Sequence, residues 1–114
     1  MIVYHGSTQD QCNSFCSSGI DGHKVFPRAI HGPQDGVPGL FVTPDLEVAK
    51  RFGICVVSIE VELSDLAPPP AFILAGADLE TSLKNPPEPQ AFLAKRIEPS
   101  RVKIVYFDET RIHG

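Results

Sequence analysis

His5 ends a short apolar run, Met1-Ile2-Val3-Tyr4, and is followed by Gly6-Ser7-Thr8. An imidazole at a strand end can hydrogen-bond a sugar hydroxyl, and a glycine beside it lets backbone N–H and C=O come close to a planar amide. Phe41 lies in a second short run, Gly39-Leu40-Phe41-Val42-Thr43, where a ring can stack on a flat cationic heterocycle. Gln90 heads a third run, Gln90-Ala91-Phe92-Leu93, two residues after Glu88. Residues i and i+2 of a strand share a face, so Glu88 could reach the side on which Gln90 stands, although Pro87 and Pro89 flank it. Each residue also has a plainer reading. His5 would be a strand-end histidine with one backbone partner, Phe41 and Phe52 core residues, and Gln90 an ordinary strand start.

Other chemistry-bearing groups are less organised. His23, Lys24, Arg28 and His31 form a local cationic cluster in an acidic chain. Such a cluster is usually a solvated loop, and its alternative role is contact with a pyrophosphate or substrate. Cys12 and Cys16 are four residues apart, on one face of a helix, and with His23 they imitate three zinc ligands. The spacing fits no standard finger and no fourth ligand is near, so buried or half-buried thiols are expected and no metal. Gly32, Gly36 and Gly39 follow no strand and so make no phosphate-cradling loop. Glu60 and Glu62 alternate with apolar residues and read as solvated.

The elements that must hold these groups can be read from the pattern. Residues 1–4 are apolar and β-branched, a strand ending at His5. Ser7 or Thr8 can cap a helix over residues 9–18, which Gly19 stops; Cys12, Phe15 and Cys16 give it a buried face. Residues 20–38 carry no periodicity and read as a long loop. Residues 39–43 form a brief strand. Thr43-Pro44-Asp45 then announces a helix with Thr at the N-cap and a stripe of Leu46, Ala49 and Phe52. Residues 54–63 alternate, with Val57, Ile59, Val61 and Leu63 inward and Ser58, Glu60 and Glu62 outward. Pro68-Pro69-Pro70 is a stiff spacer, residues 71–77 are ambiguous, and residues 78–89 read as loop. Strands are expected over residues 91–94 and 102–107, on either side of a turn at Glu98-Pro99-Ser100.

Composition sets the outer limits. The chain has 114 residues, enough for one domain over residues 1–114, with 42% hydrophobic and 21% charged residues. A net charge of −4 argues against a broad basic surface for nucleic acid, while a local patch stays open. No apolar run approaches the ~20 residues that cross a bilayer, and the first residues do not read as a signal peptide. Three cysteines, an odd number, suit reduced thiols in a cytoplasmic protein. The sum is a β-rich α+β domain with two small helices in its first half.

Taken in order, His5-Gly6-Ser7, Gly39-Leu40-Phe41-Val42-Thr43 leading into a helix with Ala49 and Phe52, and Gln90 at the head of a late strand resemble the ADP-ribosyltransferase superfamily, in its small bacterial and poly-ADP-ribose-polymerase-like branch. The resemblance covers roughly residues 1–107. It implies an α+β fold of two small packed antiparallel β-sheets with short helices and an NAD cleft. It implies mono-ADP-ribosyl transfer from NAD to an unknown macromolecular or small-molecule acceptor, as in a bacterial toxin or defence component. His5 would bind the adenosine-side ribose, Gly6 the nicotinamide amide, and Ser7 or Thr8 would support the ribose. Phe41 takes the place of the family's Tyr and Phe52 forms a second aromatic wall. Thr43 ends the strand that carries Phe41, and Arg28 lies on the loop that covers the pocket in the family. His5, Phe41 and Gln90 would then be the catalytic triad.

Gln90 stands where the family has its catalytic Glu. A neutral amide can bond a ribose hydroxyl but brings no charge to an oxocarbenium-like state, a loss of about a hundredfold in rate or more. The other class of function is therefore a catalytically silent module that binds NAD, ADP-ribose or a protein partner. RNA 2′-phosphotransfer uses the same fold, but the arginines it needs are not in a matching pattern here.

Overall fold

The computed structural model describes residues 1–25, 38–85 and 89–111. In chain order the elements are β1 (Ile2–Ser7), α1 (Gln9–Ser18), β2 (Ile20–Asp21), β3 (Leu40–Val42), α2 (Leu46–Ala49), β4 (Cys55–Glu60) and β5 (Leu66–Ala67). Then come α3 (Pro70–Leu74), α4 (Leu79–Leu83), β6 (Ala91–Leu93), β7 (Arg96–Ile97) and β8 (Val102–Phe107). The class is α+β, with small antiparallel sheets and short helices.

Two three-stranded antiparallel sheets, β1-β4-β8 and β3-β6-β5, carry most of the strands, and β2 and β7 form a separate pair. The first sheet is built on β4, whose Val57 and Ile59 are fully buried, as is Val61 just beyond it. Val56 is also fully buried, so β4 is covered on both faces along part of its length. Leu63, expected to extend the inward set, lies past the strand in a 3-10 turn and is exposed, because the strand stops at Glu60. Val3, Ile20, Leu40, Val42, Leu93 and Ile97 join the β4 residues in one core, each contributing about 1.5–3 kcal/mol over full exposure.

Helix α1 has the bounds expected from the sequence. Thr8 is its N-cap and accepts the Gln11 N–H at 3.2 Å. Gly19 ends it at φ 82, donating its N–H to the Phe15 carbonyl at 2.9 Å. Cys12 and Phe15 are buried beneath it. The three cysteines are free: Cys12 and Cys55 are buried and Cys16 is half-buried. Burial pushes the Cys12 thiol up to about 12, and the neighbouring Cys55 adds to the effect.

Four features differ from the sequence reading. Strand β1 runs on through His5 to Ser7 because β4 pairs with it all the way, Ser7 lying opposite Cys55. Helix α2 is a single turn that starts later than expected, with Asp45 as N-cap accepting the Glu47 N–H at 2.9 Å. Thr43 does not cap it, since its C=O accepts the Tyr4 N–H and so is not free to accept the first bond of a helix. Phe52 is not core: it is 63% exposed, and Val48 and Ala49 are the buried residues of the helix. Finally, the stretches read as ambiguous or loop contain the short helices α3 and α4, and residues 20–21 pair as a strand with β7.

Candidate functional site

The hydrogen-bond alternation of β1 decides where a site can form. Met1 exchanges both backbone bonds with Val61, so Val3, His5 and Ser7 bond toward β4, while Ile2, Tyr4 and Gly6 present their backbone groups to the opposite edge. On that edge Tyr4 meets Thr43, with Tyr4 N–H to Thr43 O at 2.7 Å and Thr43 N–H to Tyr4 O at 3.0 Å. In a continued ladder the next such pair would be Gly6 with Phe41. It does not form; Tyr4–Thr43 is an isolated bridge. The Phe41 carbonyl is instead bonded by His5 Nδ1 at 2.7 Å. One side chain thus takes the bond that a strand would have made, and the Gly6 backbone faces the gap.

A hollow of about 390 Å³ opens at this parting of the strands. This lies near the lower end of the ~300–1,000 Å³ of small-molecule sites. Its walls come from the two strand ends (His5, Gly6, Phe41, Thr43), from α2 (Ala49) and Phe52 three residues beyond it, and from the segment leading into β6 (Pro89, Gln90). Tyr4, Val42 and Val48 complete the lining. His5, Phe41 and Gln90, far apart in the chain, border the same space.

Each wall is positioned by an identifiable contact. A carbonyl only accepts, so the proton of the His5 ring is on Nδ1, and the neutral ring leaves Nε2 as an acceptor. Burial lowers the His5 pKa, with the Phe41 bond opposing in part, so the ring is neutral at pH 7. Phe15 meets it edge-on at 6.0 Å. Phe41 is held edge-to-face by Phe92 at 4.9 Å, and that ring sits two residues after Gln90 on β6. Gln90 donates its N–H to the carbonyl of fully buried Ser82 at 2.9 Å, tying the start of β6 to α4. A side chain at Gly6 would collide with the Ala49 carbonyl, so the glycine is what lets α2 close the hollow from one side.

Not every expected residue is here. Ser7 and Thr8 are not among the residues that border the hollow: Ser7 Oγ pairs with the Gln11 side chain and Thr8 caps α1. The Thr43 hydroxyl accepts the Asp45 N–H at 3.1 Å and so turns the chain into α2. Phe52 stands exposed at the mouth. Arg28, His31 and Glu88 lie outside the described residues, and His23 and Lys24 are exposed. Among the described residues no three His, Cys, Asp or Glu side chains are grouped to hold a metal. Tyr4, Val48 and Pro89 went unnoticed in the sequence. Contacts that are not local, such as the pairing of Tyr4 with Thr43, bring them to the site. No helix among the described residues is long and apolar enough to cross a membrane. Comparison with protein-family models, with curated proteins and with solved structures finds no match to this chain.

Proposed function

We propose that the hollow receives the nicotinamide end of NAD and that the chain is a small ADP-ribosyltransferase-like domain that transfers ADP-ribose to an acceptor. The observation that carries this reading is the convergence of His5, Gly6, Phe41, Phe52 and Gln90 on one space. The nicotinamide amide would exchange bonds with the Gly6 backbone. Its ring would lie against Phe41, with Phe52 closing from the mouth. His5 Nε2 would accept a bond from the hydroxyl of the adenosine-side ribose, and the Gln90 amide would bond a hydroxyl of the ribose that carries nicotinamide.

In the reaction the bond from ribose C1′ to the pyridinium nitrogen breaks, and its electron pair leaves with nicotinamide, which departs neutral. A lone pair of the acceptor closes on C1′ from the opposite face, and the acceptor's proton, where it has one, passes to solvent. The transition state is oxocarbenium-like, and Gln90 offers it a dipole rather than a charge. An acceptor that brings its own negative charge would supply what Gln90 does not.

A second reading, a nucleotide-binding module without chemistry, is favoured by one specific observation. Among the described residues, those that border the hollow include no Asp, Glu, Lys or Arg. Release of nicotinamide from NAD, measured with and without cell lysate, separates the two. Transfer predicts release that rises with lysate and rises about tenfold or more in Gln90→Glu. A binding module predicts a higher melting temperature with NAD and no release. Neither effect would refute both readings.

A further inference from the structure

We propose that His5 is a positioning residue: by giving its Nδ1–H to the Phe41 carbonyl it holds β1 and β3 apart, and the hollow exists because it does so. Without that donor the two strands close by one further rung, Gly6 with Phe41. This goes beyond the nicotinamide reading, because it concerns how the site is made and holds whatever ligand the site takes.

The edge of β3 that faces β1 carries the backbone groups of residues 39, 41 and 43, which alternate onto it. Thr43 is paired there with Tyr4 through backbone bonds of 2.7 and 3.0 Å. Gly39 gives its N–H to the Val25 carbonyl at 2.6 Å. Phe41 stands between them, and its carbonyl is met by a side chain, His5 Nδ1 at 2.7 Å. Antiparallel pairing continued from the Tyr4–Thr43 bridge sets Gly6 opposite Phe41. A rung there would join Gly6 N–H to the Phe41 carbonyl and Phe41 N–H to the Gly6 carbonyl. That rung is not made, since Tyr4–Thr43 is isolated.

Two donors therefore compete for one partly buried carbonyl, which is costly to leave without either. The Gly6 N–H can reach it only by drawing the strands to the ~4.8 Å spacing of a ladder. The imidazole, carried out from the backbone on its own side chain, satisfies it while the strands stay parted. Both ends of this strut are steadied. Phe15, buried on α1, meets the imidazole edge-on at 6.0 Å. Phe41 is paired with Phe92 of β6, and their rings pack edge-to-face at 4.9 Å. The Gly6 backbone and the Phe41 N–H, left over from the missing rung, face the gap. A ligand that offers an amide to Gly6 takes the place of that rung, so closure of the strands and occupation of the hollow exclude each other.

Hydrogen exchange at the Gly6 amide, followed by NMR on the full chain without ligand, tests this with two variants. His5→Leu removes the donor. His5→Asn keeps it, because the Asn Nδ2 stands as many bonds from the backbone as the His Nδ1, while the acceptor at Nε2 is gone. Exchange at Gly6 is expected to slow by about tenfold or more in His5→Leu, as its N–H takes up the Phe41 carbonyl. In His5→Asn it is expected to stay within about threefold of the unaltered rate. Unchanged exchange at Gly6 in a folded His5→Leu protein would overturn the inference, and so would equal slowing in both variants. His5→Ala, which also lacks the donor, gives the same reading if His5→Leu does not fold. No dinucleotide enters the experiment, so its failure leaves the nicotinamide reading in place, and failure of NAD to bind leaves this inference in place.

Discussion

His5 holds two roles at once, which is why neither reading of it from sequence was complete. Its Nδ1–H replaces a ladder bond at the Phe41 carbonyl, as a strand-end histidine would, and its ring also borders the hollow. The type and order of His5, Phe41 and Gln90 were legible because His5 and Gln90 stand at the ends of short apolar runs and Phe41 within one. The exposure of Phe52 was not, since a helical stripe of Leu46, Ala49 and Phe52 assumes a longer helix than the one that forms. His5→Ala is expected to abolish any rise in melting temperature produced by NAD. It is also expected to lower stability by about 1 kcal/mol or more through loss of the bond to Phe41. Differential scanning calorimetry with and without ligand reads both, and a retained ligand shift would show that the imidazole does not touch the dinucleotide.

At the scale of the element, the misplaced start of α2 has a long-range cause, the bridge between Tyr4 and Thr43. Local chemistry at Thr43-Pro44-Asp45 favours Thr as a cap, yet the backbone of Thr43 is committed to Tyr4, and Asp45 caps instead. Helix α1, by contrast, has no such competing partner at its ends, and Thr8 and Gly19 set its bounds as their chemistry requires. Helices α3 and α4, of five residues each, are too short to show a periodic pattern. Thr8→Ala is expected to lower unfolding free energy by about 1 kcal/mol in a urea titration, with nicotinamide release unchanged because Thr8 is not part of the hollow. Gly6→Ala should be worse, by about 2 kcal/mol or more, since the added methyl meets the Ala49 carbonyl. Equal effects of the two substitutions would contradict the close approach of α2 to β1.

The whole molecule places its site where one sheet hands over to another. The α+β class and most strands follow from alternation and turn residues, but among the described residues the two sheets are joined by a single bridge between residues 39 positions apart in the chain, and no local pattern encodes it. The half-buried His5 also makes the fold sensitive to acid. Its folded pKa is depressed below the ordinary 6.5, so the unfolded chain takes up the proton first. The stability this contributes is present above about 6.5 and is lost as pH falls from there through the lowered folded value. Melting temperature is expected to decline over that interval in the unaltered protein and to stay flatter in His5→Ala. The most direct measurement is a crystal structure of the protein grown with NAD. The nicotinamide ring is predicted against Phe41, with its amide on the Gly6 backbone and the Gln90 side chain at the attached ribose. A dinucleotide bound elsewhere, or a hollow left empty at saturating NAD, would contradict it.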